Sequence, residues 1–138
     1  MISNIFLLLS MFHFTNQKKI EGRKRLQKLV CILKHGREVP FSFNFKPYYY
    51  GPYSEELTDA VDTLVGLGFL MEKKEILSSG ISKYVYELTP QGNEKVEEHI
   101  KNITSDIDIE KFETLTQELE GKSTEDLVLE SKSVSNLY

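Results

Sequence analysis

Between Gly51 and Gly92 the spacing of apolar positions changes from helical to alternating and back, and the rest of the chain is read around that stretch. Leu57, Val61, Leu64 and Val65 recur at i, i+4, i+7 and i+8, one buried face of a helix from Glu55 to about Gly66. Pro52 favours a turn after Gly51, Ser54 suits the N-cap, and Glu55 and Glu56 stand in the first turn, where the helix dipole favours negative charge. Gly66 and Gly68 are stop signals. Phe69 to Leu77 then has strand character, Ser78-Ser79-Gly80 makes a turn, and a second strand covers Tyr84 to Leu88. On that strand Tyr84, Tyr86 and Leu88 share one side, and Val85 and Glu87 the other. Thr89-Pro90-Gln91-Gly92 opens a further helix, with Thr89 as N-cap and Pro90 in the first turn.

The same periodicities extend outward. Ile2 to Phe14 carries no formal charge and is apolar nearly all round, so it predicts a helix buried in this subunit or against a second one. It is too short for a typical membrane span, and neither a preceding cation nor a small-residue cleavage site makes it a signal peptide. His13 is expected at the partly buried end of that helix. Thr15 to Glu21 reads as a polar turn. A helix from Arg23 to His35 follows, with Leu26, Leu29, Val30 and Leu33 buried and Arg25, Lys28 and His35 along another side; Gly36 is expected to end it. Phe41, Phe43 and Phe45 alternate with polar residues, the pattern of a strand with one aromatic face, closed by Pro47. Tyr48 to Tyr50 and Tyr53 flank Gly51-Pro52. They close a core over a loop, stack on bases or meet a protein, with Tyr49 and Tyr53 as the exposed pair.

Past the hairpin, the helix begun at Pro90 runs to about Asn102 with Val96, Ile100 and Ile103 apolar. Ser105 is the expected cap of the next, which carries Ile109, Phe112, Leu115 and Leu119 and is broken by Gly121. Ser123 or Thr124 caps a short last helix through Leu127, Val128 and Leu129, leaving Ser131 to Tyr138 as a tail. The division expected is residues 1–104 with the core motif and residues 105–138 as a helical extension that docks on the same domain or on a dimer mate.

Charge sharpens this picture. The net charge of −4 combines +3 over residues 1–89 with −7 over residues 90–138. Between Lys18 and Arg37 there are eight Lys or Arg and one acid, Glu21. Lys18, Lys19, Arg23, Lys24, Arg25, Lys28 and Arg37 therefore form the candidate surface for nucleic acid or another anionic partner, joined by Lys73, Lys74 and Lys83 of the hairpin. Against it, the outer side of the 55–66 helix carries Glu55, Asp59 and Asp62, a poor reader of duplex DNA. With Tyr49 and Tyr53 these acids are the candidate protein-partner surface. The single cysteine, Cys31, sits in an apolar run and reads as a buried residue, and a cytoplasmic location fits this cysteine usage. No phosphate loop, zinc spacing or nucleophile elbow appears, so neither a cofactor, a metal nor enzymatic activity is expected.

Two resemblances rest on these residues. Gly68-Phe69-Leu70 with Tyr84 to Gly92 resembles the wing and exit of MarR- and PadR-like winged-helix regulators. Arg25-Leu26-Gln27-Lys28-Leu29-Val30, an aromatic strand, Tyr50-Gly51-Pro52-Tyr53-Ser54 and Leu67-Gly68-Phe69-Leu70 together are similar to YwgA-like uncharacterised prokaryotic and viral proteins, and more distantly to the Panacea domain of antitoxins. With the periodicities above they imply an α+β fold, a winged helix-turn-helix with additional N- and C-terminal helices, and the apolar first helix adds the expectation of a homodimer. The winged core and the basic helix at Arg23 to Arg37 make the expected function a DNA-binding, transcription-regulator-like module of a prokaryote, an archaeon or their viruses. The alternative is a protein–protein interaction module of antitoxin or anti-defence type.

Overall fold

The apolar run near the start of the chain becomes the centre of the molecule. The structure is a computed structural model that describes residues 3–103 and 107–138. Helix α1, Asn4–Phe14, begins at Ser3, whose hydroxyl accepts from the Phe6 amide. It buries Leu7, Leu8, Leu9, Met11, Phe12 and Phe14 among other elements of the same chain. A helix without a polar face needs cover on every side; α3 (Glu55–Gly66), β3 (Ser82–Leu88), α4 (Pro90–His99) and α5 (Ile109–Glu120) supply it. Of the two expectations for this helix, packing within the chain is the one observed.

The remaining elements are β1 (Lys19–Glu21), α2 (Arg23–Arg37), β2 (Leu70–Ile76) and α6 (Thr124–Ser135), with a 3-10 turn at Ile100–Ile103 after α4. Among the described residues the strands form one antiparallel sheet in the order β1-β3-β2. The fold is therefore α+β. The expected hairpin is present, and its register pairs Leu70 with Leu88 and Ile76 with Ser82. Tyr86 and Leu88 are buried, and so is Val85 on the other face, where it lies in register between Glu21 and Lys73. Around it run ion pairs from Lys83 to Glu21 at 2.7 Å and from Lys73 to Glu87 at 2.8 Å. At the exit of the hairpin Thr89 accepts from the Gly92 amide as N-cap, with Pro90 in the first turn.

Several expectations are corrected. Lys19–Glu21 is a strand rather than part of a polar turn; it pairs with β3 through Ile20 opposite Tyr86. Helix α2 runs through Gly36 to Arg37 and stops at Glu38, which takes the left-handed conformation. Gly36 has a packing role instead: a Cβ there would lie 3.1 Å from Cγ1 of Val134 on α6. Phe41, Phe43 and Phe45 are buried in alternation, as the pattern requires, yet residues 41–45 form no strand. Their backbone is satisfied by side chains. The Ser42 amide donates to Asn4 Oδ1 at 2.7 Å, the Asn44 amide to Glu56 Oε1 at 2.8 Å, and the Phe43 carbonyl accepts from Lys34.

The expected Ser105 cap lies outside the described residues. Asp108 is the N-cap of α5, where its side chain accepts from the Lys111 amide. Phe112 and Leu119 are buried and Gly121 ends the helix. Ser123 caps α6, which continues to Ser135, so residues 131–135 are helix rather than tail. Its small residues Ser131 and Ser135 are buried, and α6 packs along α2 of the same chain, as α5 packs on α1 and α2. No helix among the described residues is long and apolar enough to cross a membrane.

Candidate binding site

The segment Gly51-Pro52-Tyr53-Ser54 is fastened to α2 by two consecutive side chains. Gln27 Nε2 donates to the Ser54 carbonyl at 2.9 Å, and its Oε1 accepts from the Ser54 amide at 2.9 Å. Lys28 Nζ donates to the Pro52 carbonyl at 2.7 Å. Ser54 in turn caps α3 by accepting from the Leu57 amide. Gly51 permits the approach. Its φ of +109° is left-handed territory, and a Cβ would stand 3.0 Å from Lys28 Cε. Lys28 is only 3% exposed, which corrects its expected place on a solvated cationic surface. Burial depresses its ammonium to a pKa of about 8. On the next turn Cys31 is fully buried, as its apolar surroundings predict, and burial raises its thiol to about 12.

Fastening the loop at Pro52 and Ser54 throws the preceding aromatics outward. Tyr48, Tyr49 and Tyr50 are 60%, 80% and 60% exposed. Tyr53, expected to be exposed, is half-buried: its hydroxyl bonds Thr58 Oγ1 at 2.9 Å and its backbone pairs with Lys46. Tyr138 braces the loop from the far side, its hydroxyl donating to the Tyr48 carbonyl at 2.7 Å and accepting from the Tyr48 amide at 2.8 Å.

A cavity of about 570 Å³ opens between this loop, the first turns of α2, and α3. Leu26, Leu57 and Val61 give it an apolar wall; Arg23, Lys24, Lys28 and Asp62 bring charge. Arg23 is oriented by β3, its guanidinium 3.7 Å from the centroid of the Tyr84 ring and its Nε donating to the Tyr86 hydroxyl at 3.1 Å. Tyr86 is held protonated to about pH 12, chiefly by burial, with Glu72 acting in the same direction and Arg23 against it. The ammonium of Lys24 lies 4.4 Å from the centroid of the Tyr50 ring.

The structure disperses the expected cationic surface. Arg25 turns to the Glu120 carbonyl and Thr124, Arg37 pairs with Glu130 at 2.7 Å, and Lys18 donates to the His13 carbonyl at 3.3 Å. Lys19 and Lys83 share Glu21, and Lys73 is paired with Glu87. Arg23 and Lys24 border the cavity, and Lys74 stands exposed on the hairpin. Glu55, Asp59 and Asp62 are exposed along α3 as expected. Half-buried His13 is tied to α4 through Asn93 Oδ1 at 2.8 Å. Gln27, Thr58, Tyr86 and Tyr138 belong to the site without having been singled out in the sequence. Of these Gln27 carried a local signal at the border of the buried stripe of α2, and Tyr86 one in the strand alternation it shares with Tyr84 and Leu88.

Over 80 residues, 58% of this chain, the sequence is 44% identical to the uncharacterized protein YwgA of Bacillus subtilis (strain 168). The matched stretch covers 47% of that protein, so the chain spans about half the length of the curated relative it matches. No family model matches the chain. No solved structure matches it either. The sequence likeness to YwgA agrees with the resemblance carried by the 20–70 motifs.

Proposed function

We propose that the chain is a non-enzymatic binding module of winged-helix type that works through protein contacts. The order α1-β1-α2-α3-β2-β3, closed by a β2–β3 hairpin beside the third helix, supports the winged-helix reading. One observation carries the choice of partner class. Three consecutive exposed tyrosines stand beside a helix whose outer side is acidic, while most cations of the expected DNA surface are engaged within the chain. Exposed aromatics are the usual anchors of protein interfaces, and phosphate contacts need Lys and Arg that are free to move to them. A partner surface bearing Arg or Lys fits both the rings and the carboxylates. The resemblance to Panacea domains agrees with a protein partner of antitoxin type.

The test compares capture of host proteins by the wild-type chain, by Tyr49→Ala/Tyr50→Ala and by Asp59→Lys/Asp62→Lys. One stoichiometric partner lost in both variants is the expected result; a partner retained by both overturns the assignment. A second reading, binding of duplex DNA, is favoured by exposed Lys74 on the hairpin, with Lys73 and Lys83 near it in surface ion pairs that phosphates would have to displace. It predicts fluorescence anisotropy with labelled duplex that is strong at about 50 mM salt and falls steeply by about 200 mM.

A further inference from the structure

The cavity between α2, α3 and the tyrosine loop has a chemical character of its own, although Tyr49, Tyr50 and Asp62 belong both to it and to the proposed protein-contact surface. Three cations line it against one lining carboxylate, Asp62, and even with Glu72 acting on Arg23 from outside the lining the balance of its field favours an anion. The cations are left with donors to spare. Arg23 has one face on Tyr84 and its Nε on Tyr86, while its two terminal nitrogens make no hydrogen bond or ion pair among the described residues. A guanidinium fixed in this way presents its outer edge to a two-oxygen acceptor, the geometry of phosphate recognition. The ammonium of Lys24 contacts a ring face and, among the described residues, no carboxylate. Lys28 has three donors and, among the described residues, a single acceptor, the Pro52 carbonyl.

Beside these cations lie flat aromatic faces. Tyr49 meets Tyr50 edge-on with centroids 4.8 Å apart, and at 80% exposure it leaves a ring face open. Stacking on tyrosine selects a planar ring over an aliphatic body and tolerates any base. The cavity volume of about 570 Å³ is within the range of small-molecule sites. Asp62 adds the one anionic acceptor, suited to ribose hydroxyls or an exocyclic amino group.

We propose that this cavity binds a nucleotide unit, its phosphate on Arg23 and Lys24 and its base stacked on the Tyr49–Tyr50 pair. The unit is either a free mononucleotide or one end of a single strand; the chemistry of recognition is the same.

Isothermal titration calorimetry of the full chain at about 50 mM salt tests this. The probes are adenosine 5′-monophosphate, uridine 5′-monophosphate, adenosine, inorganic phosphate and a single-stranded oligonucleotide of about five nucleotides. The expected result is binding of both monophosphates at least about tenfold tighter than of adenosine or phosphate alone, the equivalent of about 1.4 kcal/mol. Lys24→Met and Tyr49→Ala, both exposed positions, should each weaken that binding about tenfold while leaving the circular dichroism spectrum and melting temperature unchanged. A tighter oligonucleotide identifies the strand as the source, and equal or weaker binding identifies the free nucleotide. Monophosphates that bind no better than phosphate or adenosine, or that are indifferent to both substitutions, overturn the proposal. So does the absence of any binding by monophosphate or oligonucleotide at millimolar concentration.

Discussion

The carboxamide of Gln27 closes a two-bond ring on the backbone of Ser54, donating to its carbonyl and accepting from its amide, both at 2.9 Å. Both residues are buried, so neither backbone group has water as a substitute. Gln27→Leu keeps the volume and strands the Ser54 amide, while the Ser54 carbonyl keeps its bonds from the Thr58 amide and hydroxyl. The expected cost is about 1 to 3 kcal/mol, the penalty for an orphaned buried polar group. Denaturant unfolding measures it. Because the same ring positions the tyrosine loop, the substitution should also raise the protease sensitivity of residues 48–52. A loss under about 0.5 kcal/mol would mean that the loop is held by other contacts.

Gly92 opens α4 against the turn that enters β2. A Cβ there would lie 2.2 Å from the Phe69 carbonyl oxygen and 2.8 Å from Leu88 Cδ1. The first of these is backbone and cannot rotate away. The turn is also fixed by the Thr89 amide donating to that carbonyl at 3.1 Å. Gly92→Ala is therefore expected to destabilise by about 1 to 3 kcal/mol, the range for forced overpacking, despite the better helix propensity of alanine. Gly66→Ala, where a Cβ meets open space, is the control and should be neutral or stabilising.

These contacts show why part of the molecule could be read from its sequence and part could not. Helix α3, its Ser54 cap, the hairpin and the Thr89-Pro90 start of α4 are written in neighbouring residues. Strand β1 holds one apolar residue, Ile20, and exists because β3 lies alongside it more than sixty residues later. The Phe41–Phe45 alternation was legible, but its partners are the side chains of Asn4, Lys34 and Glu56 rather than a strand. Lys28 looks like any helical lysine until the Pro52 carbonyl arrives above it. Lys24 and Tyr49 were visible as a cation and an aromatic. Their meeting at one cavity depends on how Gln27 and Tyr138 anchor the loop.

The docking of α6 should depend on acid. The Glu130 carboxylate lies between Arg37 at 2.7 Å and Lys122 at 2.6 Å. Burial pushes its pKa upward, but the hydrogen bonds from Lys122 and Arg37 outweigh it and hold the carboxyl below its ordinary value. A depressed folded-state pKa contributes stability that is fully present above the unfolded value of about 4.3 and is lost as pH falls from there through the lower folded value. Glu130→Gln should destabilise by about 1 to 2 kcal/mol at neutral pH. Urea unfolding should show the gap between variant and wild type closing as the pH drops toward about 3. A gap that stays constant would remove the charge from the explanation.

Lys28 and Cys31, one turn apart on α2, should pull stability in opposite directions with rising pH. The Lys28 ammonium titrates near 8 in the folded chain, chiefly because it is buried, and near 10.4 when unfolded. Between those values the unfolded state binds more protons, so stability rises with pH and is lost again as pH falls through 8. For Cys31 the folded value is raised to about 12 by burial, against about 8.5 in the unfolded chain. There the unfolded state loses its proton first, and stability falls as pH climbs past about 8.5. Cys31→Ala removes the loss and exposes the gain. Denaturation of Cys31→Ala should show stability increasing from about pH 8 to about pH 10, and adding Lys28→Met should flatten that rise. Comparing these two variants cancels the titration of the surface lysines and tyrosines that they share. Parallel curves would place the Lys28 ammonium in water, and with it would go the fastening of Pro52 to α2.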